Sequence, residues 1–194
     1  MIHPTLKFLA EQLNNYINEI RKNFNDDLSD NLVVLDSINN IEESKLKDKN
    51  SLLITVVNLA EESSMKNLAD YLIRNQQDTT YKNPPINLNI YILITAVMSK
   101  YEYELRYLGH AINFFQGKTL FNKKNSPSQI DDLPEDFSVS VDLVSLSFEQ
   151  INYLWSTLGG KQRPFACYKL RIIRMERESV SETRGVIRKI NINT

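Results

Sequence analysis

The chain has 194 residues, with 23 Lys plus Arg, 24 Asp plus Glu, one Cys, two His and five Gly. A single Cys excludes an internal disulfide and points to a reducing compartment. Two His leave little for His-built metal sites, five Gly make Gly-rich phosphate loops improbable, and a net charge of −1 gives no overall drive toward nucleic acid or acidic membranes. The length suits one domain that buries about 70% of its unfolded surface. A chain that is 42% hydrophobic and 24% charged is an ordinary globular one.

A membrane helix needs about 20 apolar residues. The most apolar stretch, Ile90 to Met98, is far shorter and contains Thr95. The start, MIHPTLKFLAEQLNN, has Glu11 and Gln12 where a secretory signal needs an unbroken apolar run. The expectation is a cytoplasmic protein with no membrane contact, unless a larger assembly carries it out. Asn occupies 21 positions, which reads as a codon-composition effect that leaves a polar surface.

In chain order, Leu6, Leu9, Leu13, Ile17, Ile20 and Phe24 recur at spacings of three and four and predict a helix over His3–Phe24, with Pro4 in its first turn. Leu32–Leu35 and Ser51–Leu59 predict strands, the second covered on both faces. Met65, Leu68, Ala69 and Leu72 suggest a short helix, and Arg74–Pro85 a loop. Ile86–Val97 is the strongest strand, with one face apolar throughout and the other polar at first and then apolar. A second helix, Ser99–Phe115, has Leu105, Leu108, Ile112 and Phe115 inside and Tyr101, Tyr103 and Tyr107 at its flanks. Residues 117–136 read as a long polar loop.

Phe137, Val139, Val141 and Leu143 then alternate with polar residues as a half-buried strand. Ser147 and Gln150 have capping-box spacing and open a third helix with Phe148, Ile151, Leu154, Trp155 and Leu158, closed by Gly159. Phe165–Met175 is a strand. A polar turn, ESVSETRG, leads to a last strand with Val186, Arg188, Ile190 and Ile192 alternating. This order predicts one α/β (α+β) domain with a mixed, mainly antiparallel sheet and helices packed on it. Residues 1–179 form the body, and 180–194 a strand or arm of the same domain.

Chemistry has little foothold. Gly117-Lys118-Thr119 lacks the first Gly of a P-loop, since position 112 is Ile, and it ends a helix where phosphate needs a helix start. Cys167 sits in a strand as a small buried hydrophobe, and His110 reads as a packing or surface residue. The pairs Glu42-Glu43, Glu61-Glu62 and Asp131-Asp132 fall in loops or at strand ends, without the burial that acid–base work requires. No catalytic residue, metal or cofactor is expected.

Charge placement says more than total charge. Residues 26–62 carry nine acidic residues against three Lys, and residues 163–194 carry eight basic residues against three Glu. Opposed ends suit head-to-tail contacts between copies or docking on a charged assembly. The contact candidates are Asp26, Asp27, Asp30, Glu42 and Glu43 on one side. Arg163, Arg171, Arg174 and Arg177 are those on the other.

Three segments resemble the cap, or tail-terminator, proteins of phage-tail-like contractile injection systems, the Photorhabdus virulence cassettes and the antifeeding prophage among them. The first is Leu88, Ile90, Tyr91, Ile92, Leu93, Ile94, Thr95 and Ala96 after Pro84-Pro85. The second is the helix Glu104, Tyr107, Leu108, Gly109, His110, Ala111, Ile112. The third is Val141, Leu143, Leu146, Glu149, Leu154, Trp155, Leu158, Gly159, Arg163, Pro164, Tyr168 and Arg171. Residues 60–85 depart most. The resemblance implies a non-enzymatic α/β subunit in a homohexameric ring on the baseplate-distal end of the inner tube and sheath. Such a ring would end polymerisation and clamp the last sheath layer to the last tube layer, in a particle that is assembled in the cytoplasm and released. Its partners would be itself, the sheath protein and the inner tube protein, with no nucleic acid and no membrane. The sheath contact would fall on a terminal strand, with Arg184, Val186, Ile187, Arg188, Lys189, Ile190 and Ile192 as candidates. The readings from other classes are a soluble ligand- or nucleic-acid-binding module and an enzyme with an unrecognised site.

Overall fold

The computed structural model describes residues 1–22, 28–40, 50–62, 71–74, 78–82, 86–126, 133–159, 162–175 and 182–185. Helix α1 (Ile2–Arg21) buries Leu6, Leu9, Leu13 and Ile17, the stripe that its spacing predicts; Phe24 lies outside the described residues. Strands β1 (Val33–Leu35) and β2 (Ser51–Glu61) follow, and then β5 (Ile86–Val97), α2 (Tyr101–Gly117), β6 (Leu120–Asn122), β7 (Ser138–Val144), α3 (Phe148–Thr157) and β8 (Phe165–Met175). These strands form one six-stranded sheet in the order β1-β2-β5-β8-β7-β6. The β1–β2 pair is parallel and the others are antiparallel. The fold is a single α+β domain with a mixed, mainly antiparallel sheet, as expected from the sequence.

Both faces of the sheet centre are buried. Ile92 pairs with Tyr168 and Ile94 with Ala166, and this face, with Ile54, Leu170 and Val141, packs under α1 and α2. Burial of this kind contributes roughly 25 cal/mol per Å² of apolar surface and supplies most of the drive to fold. On the other face Leu93 pairs with Cys167 and Thr95 with Phe165. There Trp155 of α3 stacks edge-on against Phe165 at 5.5 Å. That double covering accounts for the apolar run in β5 and in the first half of β2, Leu52–Thr55; Val56 and Leu59 are exposed, so the expected covering of both faces stops midway along β2.

Two expectations are corrected between β2 and β5. Leu72 belongs to a strand, β3 (Tyr71–Arg74), and the stretch read as a loop contains β4 (Asp78–Lys82). They pair as a hairpin, and β4 also pairs with β9 (Glu182–Gly185), making a separate three-stranded sheet. Tyr71, Leu72, Ile73, Thr79, Thr80 and Tyr81 are strand-favouring residues that the polar neighbours mask in a reading by composition. Met65, Leu68 and Ala69 lie outside the described residues, as does the predicted strand over Val186–Ile192. The polar turn assigned to 178–185 holds β9 instead.

Smaller corrections concern facing. Leu105 is exposed and Tyr107 is buried, because α2 turns Glu104, Tyr107, Leu108, Ala111 and Phe115 inward. The loop over 117–136 contains β6, and Leu133 and Ser126 within it are buried. Leu143 and Phe148 stand exposed at 58% and 91%, so the apolar patterning of β7 and α3 runs beyond the covered part of the sheet. The Ser147–Gln150 capping box is present, and Gly159 takes φ +94° after the helix end, a conformation that L side chains avoid.

Candidate functional site

Chemistry-bearing residues are dispersed. Cys167 is buried on the α3 side of the sheet, and burial pushes its thiol pKa up, away from thiolate chemistry. His110 lies on α2, on the other side, edge-on to Tyr107 at 6.0 Å. Lys118 donates from Nζ to Ser126 Oγ at 2.6 Å and lies over the Phe121 ring, and burial lowers its pKa. It pins the turn after β6 and holds no open cradle. Among the described residues no group of three or more His, Cys, Asp or Glu converges, and no helix is long and apolar enough to cross a membrane.

The predicted contact residues fall into distinct settings. Arg163 donates from Nη1 to Glu104 Oε1 at 2.8 Å, which ties it into the chain's own interior edge. Arg171 pairs with Asp142 at 2.7 Å, both half-exposed, on adjacent strands β8 and β7. Arg174 is on the outer part of β8 opposite Asn87, and Arg184 is on β9 opposite Thr79. Asp30 is exposed, and its carbonyl accepts from Asn14 and Asn18. Asp26, Asp27, Glu42, Glu43, Arg177, Val186, Ile187, Arg188, Lys189, Ile190 and Ile192 lie outside the described residues.

The outer half of the α3-side face is polar. Asn89 Nδ2 donates to Glu62 Oε2 at 2.7 Å, Lys169 Nζ lies 3.9 Å from the same oxygen, and Lys169 also sits over the Tyr91 ring. Here the register shifts on both sides of β5, between Val56 and Asn58 of β2 and at Leu88/Ile90 against β8. Such bulges bend and twist a sheet locally.

One further feature escaped the reading by composition. Arg21, Asn18 and Asn14 follow helical spacing along α1 and bind the backbone of residues 28–33. Arg21 donates to the Ser29 carbonyl at 2.7 Å. Asn14 Oδ1 accepts from the Leu32 and Val33 N–H groups at 2.9 and 3.2 Å. A groove of about 700 Å³ opens between Lys7, Ala10, Glu11 and Asn14 of α1 and residues Asn31 and Val33–Leu35. The recurrence of polar residues at 14, 18 and 21 was the available signal.

Residues 5–189 match the family described as Pvc16 N-terminal domain. No curated protein matches the chain. Among solved structures, the PVC sheath/tube terminator of an extracellular contractile injection system, in the extended state, aligns at 12% identity with a TM-score of 0.65. It covers 100% of this chain and 63% of that one. The anti-feeding prophage tube-terminating cap aligns at 8% identity with a TM-score of 0.58, covering 94% of this chain and 60% of that one. This chain spans about three-fifths of the length of either structure.

Proposed function

Because the chain belongs to the Pvc16 N-terminal domain family, we propose that it is the terminator of a contractile injection particle. It forms a ring on the baseplate-distal end of the inner tube and sheath, ends their polymerisation and couples the last sheath layer to the last tube layer. The ring is a homohexamer, and the finished particle is of the extracellular kind. The observation that carries this reading is the alignment of the whole chain with the fold of a sheath/tube terminator. The site fits the role. Its described polar groups serve packing and surface contact, and none converge as reactive clusters do.

The contacts follow the surface chemistry. Arg171 and Arg174 on β8 and Arg184 on β9 are the proposed cationic contacts to sheath and tube, with Asp30 as an acidic one toward a neighbouring copy. Arg163 contributes indirectly, by fixing the approach to β8 through Glu104.

Co-expression with the cognate sheath and tube subunits tests the proposal. With the chain present, electron microscopy should show particles of uniform length bearing a ring at one end. Without it, the tubes should be open-ended and of uneven length. Unchanged lengths and bare ends in its presence would overturn the reading.

A further inference from the structure

We propose that the cleft beside α3 receives Tyr101 and Leu105 from the α2 helix of a second copy of the chain. The inference rests on the ring reading for its second copy and goes beyond it by naming the two surfaces that meet. The cleft, of about 240 Å³, lies along one stripe of α3 formed by Phe148, Ile151, Asn152, Trp155 and Ser156, and Gln162 completes its lining. Trp155 is held down against Phe165, whereas Phe148, two turns earlier, is almost wholly exposed. The apolar stripe of the helix thus runs past the part that the sheet covers. The volume is below the range of about 300–1,000 Å³ typical of small-molecule sites, so the cleft suits an inserted side chain better than a ligand.

The start of α2 carries side chains of the matching kind. Tyr101 and Leu105 are one helical turn apart and stand 63% and 49% exposed. Large apolar side chains grouped on a surface mark contact sites, where single ones do not. Charge agrees with the pairing. Between residues 138 and 159 the charged residues are Asp142 and Glu149, both acidic, and Asp142 is already paired with Arg171. Glu149 stands exposed next to Phe148. On α2, Glu104 is turned inward to Arg163. Lys100 and Arg106, both over the Tyr103 ring, flank Tyr101 and Leu105, and Glu102 is the one exposed acid among residues 99–106. Opposite charge beside two apolar patches steers and orients their approach.

The two surfaces do not meet within one molecule. Helix α2 packs on the face of the sheet that carries Ile92 and Ile94, where Phe115 meets Tyr168 at 4.9 Å. Helix α3 packs on the opposite face, where Trp155 meets Phe165. The sheet stands between them, and Tyr101 and Phe148 both keep their exposure in the single chain. Between copies, the cleft of one takes the helix of the next. Such a contact joins two different patches and generates a ring when its rotation closes. Each subunit then gives one surface and receives on the other.

The test uses full-length chains co-expressed with the cognate sheath and tube subunits, with buried Cys167 left in place. One chain carries Glu102→Cys and a differently tagged one carries Asn152→Cys. A short bis-maleimide should give a product containing both tags, absent from the unsubstituted chain and from either variant alone. A chain bearing both substitutions should give a ladder of multimers. In that chain Tyr101→Ala should slow the linking by about tenfold and leave the unfolding midpoint in place, because the side chain is exposed. Lys100→Glu and Glu149→Lys should each slow it by about threefold, and together restore it. Overturning results are a link within one variant alone, a link confined to monomers of the doubly substituted chain, a link made only to sheath or tube, no link at all, or linking that Tyr101→Ala does not slow. A chain that still caps particles without the link overturns the docking alone. A chain that links but leaves tubes uncapped overturns the terminator reading alone.

Discussion

Arg163, on the approach to β8, holds the carboxylate of Glu104 on α2 at 2.8 Å, and the Glu104 side chain is only 7% exposed. The same oxygen accepts from the Met98 N–H at 3.3 Å. One carboxylate thus joins the end of β5, the start of α2 and the start of β8. Removing one member of such a pair leaves a charge buried without its partner, whereas removing both is far milder. Arg163→Ala is expected to lower stability by about 2–3 kcal/mol. The double variant Arg163→Ala/Glu104→Leu should recover most of it, as read by urea unfolding.

Asn14 serves three backbone groups, the Asp30 carbonyl and the N–H groups of Leu32 and Val33. An orphaned buried partner costs about 1–3 kcal/mol. Asn14→Ala should cost about 2 kcal/mol and speed hydrogen exchange at the Leu32 and Val33 amides. Asn14→Asp keeps the acceptor and should preserve protection at those two amides.

Trp155 and Phe148 are large apolar residues on the same short helix, at 3% and 91% exposure. Trp155→Ala removes the ring packed on Phe165 and should cost about 3 kcal/mol. Phe148→Ser should change stability by less than about 0.5 kcal/mol. Thermal unfolding of both variants separates the two roles. If Phe148 serves assembly, only the mixed preparation with sheath and tube will register its loss.

Alkaline pH should weaken the fold through Tyr168. Burial pushes its phenol up to about 12 from an ordinary 10.0. Below pH 10 the phenol is protonated folded and unfolded, and its contribution is fully present. As pH rises from 10 toward 12 the unfolded chain gives up the proton first, so stability falls, by about 2–3 kcal/mol in all. Cys167, raised from 9.0, adds to the loss in the same direction. Tyr168→Phe should flatten the slope between pH 10 and 12 in urea titrations.

The legible parts of the fold were those in which side-chain period and burial agree. Helix α1 and strands β5 and β8 appear within a few residues of their expected limits because their apolar positions repeat without interruption. Helix α2 was found but rotated. Leu105 looked internal by type, while Glu104 turns inward because Arg163 and the Met98 N–H satisfy it, a partnership between distant residues that no local window contains. The hairpin of β3 and β4 was hidden for a related reason, since its strands are short and set among polar neighbours, and β4 gains its other neighbour, β9, from about a hundred residues away. The surface chemistry was harder still. Asn14 and Asn18 were absorbed into a general excess of Asn, and only their backbone partners show what they do.

Ile86 pairs with Met175 and Thr95 with Phe165, so the sheet's centre joins strands separated by α2, β6, β7 and α3. Closing so large a loop precedes most of the gain from packing, and topologies of this kind fold slowly. Until β8 is in place, β5 presents an unpaired edge twelve residues long and mostly apolar from Ile90 onward, the kind of surface on which partly made chains aggregate. Production of the subunit is therefore the vulnerable stage. Slower synthesis or lower temperature should raise its soluble yield more than any change to its finished surface.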